Sequence, residues 1–458
     1  MMLKKLLVAN RGEIAVRIIR AARDLGIATV AVHSAADTDA LHVQLADEAV
    51  NIGPPAAKKS YLNMAAILAA AEATGADAIH PGYGFLAENA EFADAVAAAG
   101  LVFVGPSGDA IRLMGDKVSA RSAAHAAGVP VVPGSSGRVA GIEEARHILI
   151  DTGFPVMIKA AAGGGGRGIR IANNLAEFEQ AFPQAEAEAL SAFGDGGLYM
   201  EKVIGRARHI EVQVLGDGSD AIHLFERECS LQRRRQKVWE EAPSAALSEG
   251  LRDRLCSSAV ALARAVSYSG AGTVEYLYDD AADQFYFIEM NTRIQVEHPV
   301  TEMITGVDLV AEGLRIAGGE ALRLKQRDIV PRGHAIEVRI NAEDPARDFA
   351  PFPGKVGDLR LPGGPGVRFD SMLFQGYQVP PFYDSLLAKL VVHAETREAA
   401  ITRLTRALTE LSIEGMKTTK PLFLALAADE TVRAGAVHTR WLEGWLSENA
   451  DRLNDAQG

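Results

Sequence analysis

The stretch Phe285-Tyr-Phe-Ile-Glu-Met-Asn-Thr-Arg-Ile-Gln-Val-Glu-His-Pro299 decides how the rest of the chain is read. From Glu289 onward the polar side chains fall at every second position: Glu289, Asn291, Arg293, Gln295 and Glu297. Side chains two apart share a face of an extended chain. The segment therefore lines up two carboxylates, two amides and a guanidinium on one side. The run before it, Phe285 to Ile288, is apolar and reads as a buried strand. A strand that starts in a core and ends in such a set is delivering chemistry.

Working outward, Gly272-Thr-Val-Glu-Tyr-Leu-Tyr278 is a second strand pattern, and the turn-rich Asp279-Asp-Ala-Ala-Asp283 separates it from the first. A hairpin centred near residue 282 sets Glu275 opposite Glu289 to within one residue of register. Their Cβ atoms would then stand about 5 Å apart. Like charges so placed repel unless a cation lies between them. With Asn291 on the same face, the set supplies hard oxygen ligands suited to Mg²⁺ or Mn²⁺. The plainer alternative is a different register, with one carboxylate in solvent.

Ala160-Ala-Ala-Gly-Gly-Gly-Gly-Arg-Gly168 follows directly on a strand pattern that ends in Lys159. Glycines let backbone N–H groups approach phosphate oxygens closely, and a lysine at the strand end adds a point charge. A merely flexible loop is the competing reading. The run is not a Walker loop, because Gly-Lys-Ser/Thr is missing. Gln232-Arg-Arg-Arg-Gln-Lys237 reads as a solvated basic patch or, with Arg293 and Arg339, as cations for an anionic substrate. Cys229 has no Cys–His pattern nearby and is expected to be a small buried thiol. His209 and His298 lack partners at metal-ligand spacing, so zinc is not expected.

The first hundred residues alternate strand and helix patterns: strands at 6–9, 28–32, 78–79 and 101–104, helices at 12–25 and 87–99. That is a parallel α/β layer, with ligands expected at the carboxyl ends of its strands. The alanine-rich stretch 175–190 reads as helix interrupted by Pro183, and 396–411 as a terminal helix. Domain boundaries are expected near 114 and 330. The 458 residues suit two or three domains, with 48% hydrophobic and 23% charged residues as in ordinary soluble chains. A net charge of −12 argues against general nucleic-acid binding. Two cysteines imply no disulfide framework and a reducing cytoplasm. Neither a signal peptide nor a membrane span of about 18 apolar residues is expected.

Together these segments resemble biotin carboxylase, a member of the ATP-grasp superfamily. The resemblance rests on Ala9-Asn-Arg-Gly-Glu-Ile-Ala15, His80-Pro-Gly-Tyr-Gly-Phe-Leu86, Met114-Gly-Asp-Lys117, the glycine loop, Arg208-His-Ile-Glu211, Glu289 through Glu302, Arg339-Ile-Asn-Ala-Glu-Asp344 and Tyr383-Asp-Ser385. It covers essentially the whole chain. The resemblance implies an α/β ATP-grasp fold in three parts: an N-terminal parallel α/β domain (1–114), an ATP-grasp domain (115–330) with a mobile lid at about 132–204, and a C-terminal biotin carboxylase domain (331–458). It also implies a ligase in which ATP phosphorylates bicarbonate to carboxyphosphate and the carboxyl group passes to N1 of biotin. No Ala-Met-Lys-Met attachment motif occurs, so biotin is expected on a separate biotin carboxyl carrier protein, with carboxyltransferase subunits completing the enzyme. Acetyl-CoA carboxylase and fatty acid biosynthesis are the leading context; another acyl-CoA, pyruvate or urea-type carboxylase is the alternative.

By the same resemblance Lys117, Lys159, Gly164, Gly165 and Gly166 hold phosphates, while Glu201, Lys202, His209, Gln232 and Leu277 surround the rest of the nucleotide. Glu275, Glu289 and Asn291 take two metal ions. Lys237, Arg293, Gln295 and the Val296 backbone hold bicarbonate, Glu297 is the general base, Arg339 stabilises the biotin enolate, and Tyr83 borders the biotin pocket. A homodimer is implied, with Arg20, Asp24 and Arg368 in the interface segments. The sequence departs from the family at Arg235, where His is usual, and at Trp239, where a small aliphatic is usual. Two rivals stand beside this reading: another ATP-grasp enzyme such as a carboxylate–amine ligase, and a non-catalytic paralogue.

Overall fold

The computed structural model describes residues 3–135, 137–160, 169–193, 196–449 and 453. Strands β1 (Lys5–Val8), β2 (Ala28–His33), β3 (Glu48–Asn51), β4 (Ala78–His80) and β5 (Val102–Phe103) form one parallel sheet in the order β3-β2-β1-β4-β5. The order reverses beside β1, so the loops after β1 and β4 open a crevice at their carboxyl ends. Asn10 closes it from within, donating through Nδ2 to the carbonyls of Pro81 at 2.7 Å and Tyr83 at 2.8 Å. The helix Gly12–Asp24 buries Ile14, Ile18, Ala21 and Ala22, the residues with helical spacing. The next expected helix starts at Ala90 rather than Ala87, because Asn89 caps it by accepting from the Phe92 N–H at 2.7 Å.

Strands β6 (Val156–Ala160), β7 (Ile169–Ala172) and β8 (Leu198–Lys202) form a small antiparallel sheet ordered β7-β6-β8. The helix Leu175–Phe193 covers it and runs through Pro183 without a break, contrary to the expected interruption. An interior proline removes one backbone hydrogen bond. Here Phe178, Phe182, Ala185 and Ala189, all buried against Ile158 and Met200, hold the helix on both sides of it. This small core is separate from the others. The glycine loop, including Gly164, Gly165 and Gly166, lies outside the described residues.

The rest is organised by one eight-stranded sheet. Its first members are β9 (Ala207–Asp217), β10 (Ala221–Arg233), β11 (Gln236–Ala242), β12 (Ser269–Asp279), β13 (Gln284–Asn291) and β14 (His334–Asn341). Two short pairs follow outside it, β15 (Glu343–Asp344) with β16 (Ala350–Pro351), and β17 (Leu359–Arg360) with β20 (Ser412–Ile413). Strands β18 (Val367–Ser371) and β19 (Leu386–Ala394) complete the large sheet in the order β13-β12-β9-β10-β11-β14-β19-β18. Pairing of β11 with β14 carries this sheet straight across residue 330. On β14, Ile336, Val338 and Ile340 point into a core closed by the helix Arg397–Glu410, which leaves Glu337 and Arg339 on the other face. Trp239 pairs with Val338 and is 1% exposed in that core, so its bulk is absorbed by packing.

Candidate active site

Glu275 on β12 pairs directly with Glu289 on β13, the register expected from the hairpin. The register slips by one between Glu275 and Tyr276, leaving Ile288 as the extra residue of a bulge. Its side chain is 38% exposed, although the sequence placed it in a buried run. On its other side Glu275 pairs with Glu211 of β9, and Glu211 pairs with Arg227 of β10. Cross-strand partners share a face, so Glu289, Glu275, Glu211 and Arg227 form one row across four strands. Thr273 and Gln213 lie in the next row, with Leu277 and His209 on the far side.

The alternating face of β13 ends at Asn291, not at Glu297 as the spacing suggested. Residues 292–297 leave the sheet and turn, and the helix His298–Thr305 begins immediately after Glu297. The turn folds the remaining polar side chains back beneath Glu275. Gln295 Nε2 donates to Glu275 Oε1 at 3.0 Å, as does Asn291 Nδ2 at 2.9 Å. Arg293 donates to Asn291 Oδ1 at 3.0 Å and to Glu88 at 2.9 Å.

Lys237, delivered by β11, holds this cluster together. Its ammonium donates to Glu275 Oε1 at 2.8 Å, to Glu297 Oε1 at 2.7 Å, and to Glu211. Glu297 also accepts from Arg339 at 3.1 Å, and Arg339 Nε donates to Glu240 at 2.7 Å. Burial pushes the Glu297 carboxyl up, but Lys237 and Arg339 outweigh it and hold the group below the usual carboxylate range. Burial likewise opposes the Lys237 charge, and Glu211, Glu297 and Glu275 overcome it, raising the ammonium well above its ordinary value. Arg227 is fully buried and bonds Glu211 at 2.6 Å, Gln213 at 2.7 Å, and Thr301 at 3.0 Å. Buried charges of this density persist only when paired and hydrogen-bonded.

His209 does acquire partners, across strands rather than along the chain. Its Nε2 lies 3.2 Å from Glu275 Oε2 and 3.5 Å from Glu211 Oε2. Burial lowers its pKa, but Glu275 more than compensates and brings it to about 9. Glu289 is exposed and makes no hydrogen bond or ion pair among the described residues. Surrounding protein, then Glu275 and Glu88, push its carboxyl up. An open carboxylate opposite a second one, with the Asn291 carbonyl beside them, fits a hard divalent cation.

Lys159 on β6 forms an ion pair with Glu201 on β8, where Arg121 also approaches at 3.7 Å. Lys117 is exposed in the first turn of the helix Lys117–Ala126, and Lys202 closes β8. Gln232 is buried and donates to the Cys229 carbonyl at 2.9 Å. Arg235 is exposed in the two-residue turn between β10 and β11, with φ +65°, and has no hydrogen bond or ion pair among the described residues. Cys229 and Cys256 are free and buried, and burial pushes both thiols well up, as befits unreactive core residues. Tyr83 lies in the crevice after β4 and donates its hydroxyl to Glu13. Arg20 and Asp24 are exposed on one helix, whereas Arg368 bonds within the chain, to Glu302 at 2.7 Å and Asp370 at 2.6 Å.

Three family domains match in order: Biotin carboxylase, N-terminal domain, over residues 2–111; Carbamoyl-phosphate synthase L chain, ATP binding domain, over 116–325; and Biotin carboxylase C-terminal domain, over 337–444. Biotin carboxylase 1 of Bacillus subtilis (strain 168) is 55% identical over 443 residues, covering 96% of this chain and 98% of the relative. The chain belongs to the biotin carboxylase family. It is an ATP-dependent ligase of that family, with the ATP-grasp fold. Among solved structures, the biotin carboxylase domain of a thermophilic 2-oxoglutarate carboxylase bound to bicarbonate superposes with a TM-score of 0.93 at 47% identity, covering 99% of both chains. The domain dimer from the Hydrogenobacter thermophilus 2-oxoglutarate carboxylase, in complex with MgADP, ADP and bicarbonate, gives 0.87 at 49% identity and 99% coverage of both.

Glu211, Arg227, Glu240 and Glu88 were not singled out for the site. Glu211 ended a quoted motif, yet nothing in the spacing of 207–217 distinguishes a charge under the site from one at the surface. Only the register with Glu275 does.

Proposed function

We propose that this biotin carboxylase uses ATP and bicarbonate to carboxylate biotin on a biotin carboxyl carrier protein. The observation that carries the reading is the placement of Lys237, bonded at once to Glu275 of the metal-type pair and to Glu297 of the turn. One ammonium thereby joins the phosphate-facing carboxylates to the anion-binding residues. The relatives bound to bicarbonate and to MgADP support the same pairing of ligands.

In this reading Lys117, Lys159 and the glycine loop contact the nucleotide phosphates, while Glu201, Lys202, His209, Gln232 and Leu277 line the rest of its site. Glu275, Glu289 and Asn291 hold Mg²⁺ or Mn²⁺, which when bound screens phosphate charge. Bicarbonate sits against Arg293, Gln295, Lys237 and the Val296 backbone. Glu297, ionised beside two cations, removes the bicarbonate proton. The freed oxygen bonds to the γ-phosphorus as the bond to ADP breaks, giving carboxyphosphate. The carboxyl carbon then passes to biotin N1 as its bond to the phosphate oxygen breaks and the departing phosphate takes the N1 proton, with Arg339 stabilising charge on the ureido oxygen and Tyr83 bordering the ring. Carboxyphosphate hydrolyses readily, so exclusion of water falls to a lid at about 132–204; its separate core supports independent movement.

The domain limits we propose are 1–114, 115–330 and 331–458. A homodimer, a cytoplasmic location supported by two free buried thiols, and carboxyltransferase subunits acting on acetyl-CoA complete the proposal. ADP release that requires bicarbonate and rises with added biotin tests it, with Glu297→Ala as the inactive reference. No biotin dependence, even on the carrier protein, would overturn it and favour another ATP-grasp ligase. Pull-down of the biotinylated carrier with its companion subunit identifies the acceptor.

A further inference from the structure

The turn 292–297 displays its polar side chains toward Glu275 and Lys237, so something must hold its backbone from beneath. Two consecutive carbonyls are held in this way. The Gln295 carbonyl lies 2.7 Å from His298 Nδ1, and the Val296 carbonyl accepts from Lys389 Nζ at 2.8 Å. Lys389 stands in the middle of β19, opposite Arg339 on one neighbouring strand and Asp370 on the other, and its side chain is fully buried. A fully buried lysine is rare and needs partners. Its second partner is Glu13, with Nζ to Oε2 at 3.1 Å. The other oxygen of Glu13 accepts the Tyr83 hydroxyl.

We infer that Lys389, with Glu13, is a positioning residue that sets the bicarbonate-binding turn relative to Tyr83. This inference rests on the function proposed above. The strut runs from Tyr83 through the Glu13 carboxylate and the Lys389 ammonium to the Val296 carbonyl, between the two side chains, Gln295 and Glu297, that have to meet bicarbonate. Lys389 itself contacts no reacting atom. The alternative is an ion pair that only stabilises the fold, in which case the bond to Val296 has no consequence for substrate.

Lys389→Met alone strands a buried carboxylate and is at risk of not folding. The double variant Lys389→Met/Glu13→Gln removes both charges, keeps a polar group for Tyr83, and is the deciding protein. The readouts are the bicarbonate KM from ADP release, the nucleotide Kd from direct titration with MgADP, and the melting temperature. The expected result is a bicarbonate KM raised about ten-fold or more, the scale of losing one charged hydrogen bond, with the nucleotide Kd within about two-fold of wild type. An unchanged bicarbonate KM overturns the inference. So does a parallel loss of nucleotide and bicarbonate affinity, or failure of the double variant to fold, since each marks a general structural role. If wild-type protein itself shows no bicarbonate dependence, the functional reading fails first, separately from this one.

Discussion

The ammonium of Lys237 and the carboxylate of Glu297 meet at 2.7 Å, although 60 positions separate them in the chain. The contact exists because β11 and the turn after β13 converge on the same face of one sheet. Glu297 is thereby kept ionised inside the protein, and the same lysine neutralises Glu211 and Glu275.

Lys237→Gln leaves those three carboxylates sharing one fewer cation. Breaking buried pairing of this kind costs about 3–5 kcal/mol. The variant should melt well below wild type, and Mg²⁺ should raise its melting temperature more than it raises that of wild type, because a bound dication replaces the missing charge. Thermal melts with and without Mg²⁺ check this; equal shifts would show that the cluster does not need Lys237 for charge balance.

Glu297→Gln keeps the shape of the side chain and removes its ability to take a proton. Turnover should fall by about 10²–10⁴-fold, while nucleotide binding stays within about two-fold because Glu297 lies in the turn rather than with Lys159 and Glu201. Steady-state ADP release and MgADP titration separate the two effects.

Glu289 is exposed and has no hydrogen bond or ion pair among the described residues. Glu289→Gln should therefore change folding stability by less than about 0.5 kcal/mol. Its effect should appear in the Mg²⁺ concentration needed for half-maximal activity, raised by roughly 10–100-fold, the range seen for even a supporting partner of a metal ligand. A chelator should abolish ADP release in both proteins.

His42 is fully buried, and burial lowers its pKa from 6.5 to about 4. His80 is lowered to about 3, again chiefly by burial. Below pH 6.5 the unfolded chain takes up protons that the folded chain refuses. The stability these residues provide is therefore complete above 6.5 and is lost as pH falls toward 4 and then 3. For His42 the loss is roughly 3 kcal/mol over its window. Urea midpoints at pH 7.5 and 5 measure it, and His42→Gln should shrink the difference; an identical difference would exclude His42 as a source.

The hairpin register and the strand alternation were legible because they depend on local patterning: turn residues at 279–283 and period-two spacing around Glu275 and Glu289. The parallel sheet at the amino end followed from the same kind of signal. The Arg293-to-Glu297 row alternates like a strand yet turns, because an alternating pattern says nothing about where a strand leaves its sheet. The bulge at Ile288 and the turn after Asn291 decide that, and both answer to tertiary packing. Pro183 carries an intrinsic helix penalty that is visible in the sequence, whereas the packing of Phe178 and Phe182 that offsets it is not. Glu211, Arg227 and Lys389 stayed hidden for one reason: a charge under a site and a charge at the surface look alike until a partner strand is placed beside them.

In the proposed reaction bicarbonate is activated by phosphorylation at the Lys237–Glu297 cluster. Turnover with ¹⁸O-labelled bicarbonate, followed by mass spectrometry of the released phosphate, tests it most directly. Attack by a bicarbonate oxygen on the γ-phosphorus, followed by cleavage of its bond to the carboxyl carbon, places one labelled oxygen in each phosphate. Phosphate released without label, at the wild-type rate of ADP formation, would contradict the account.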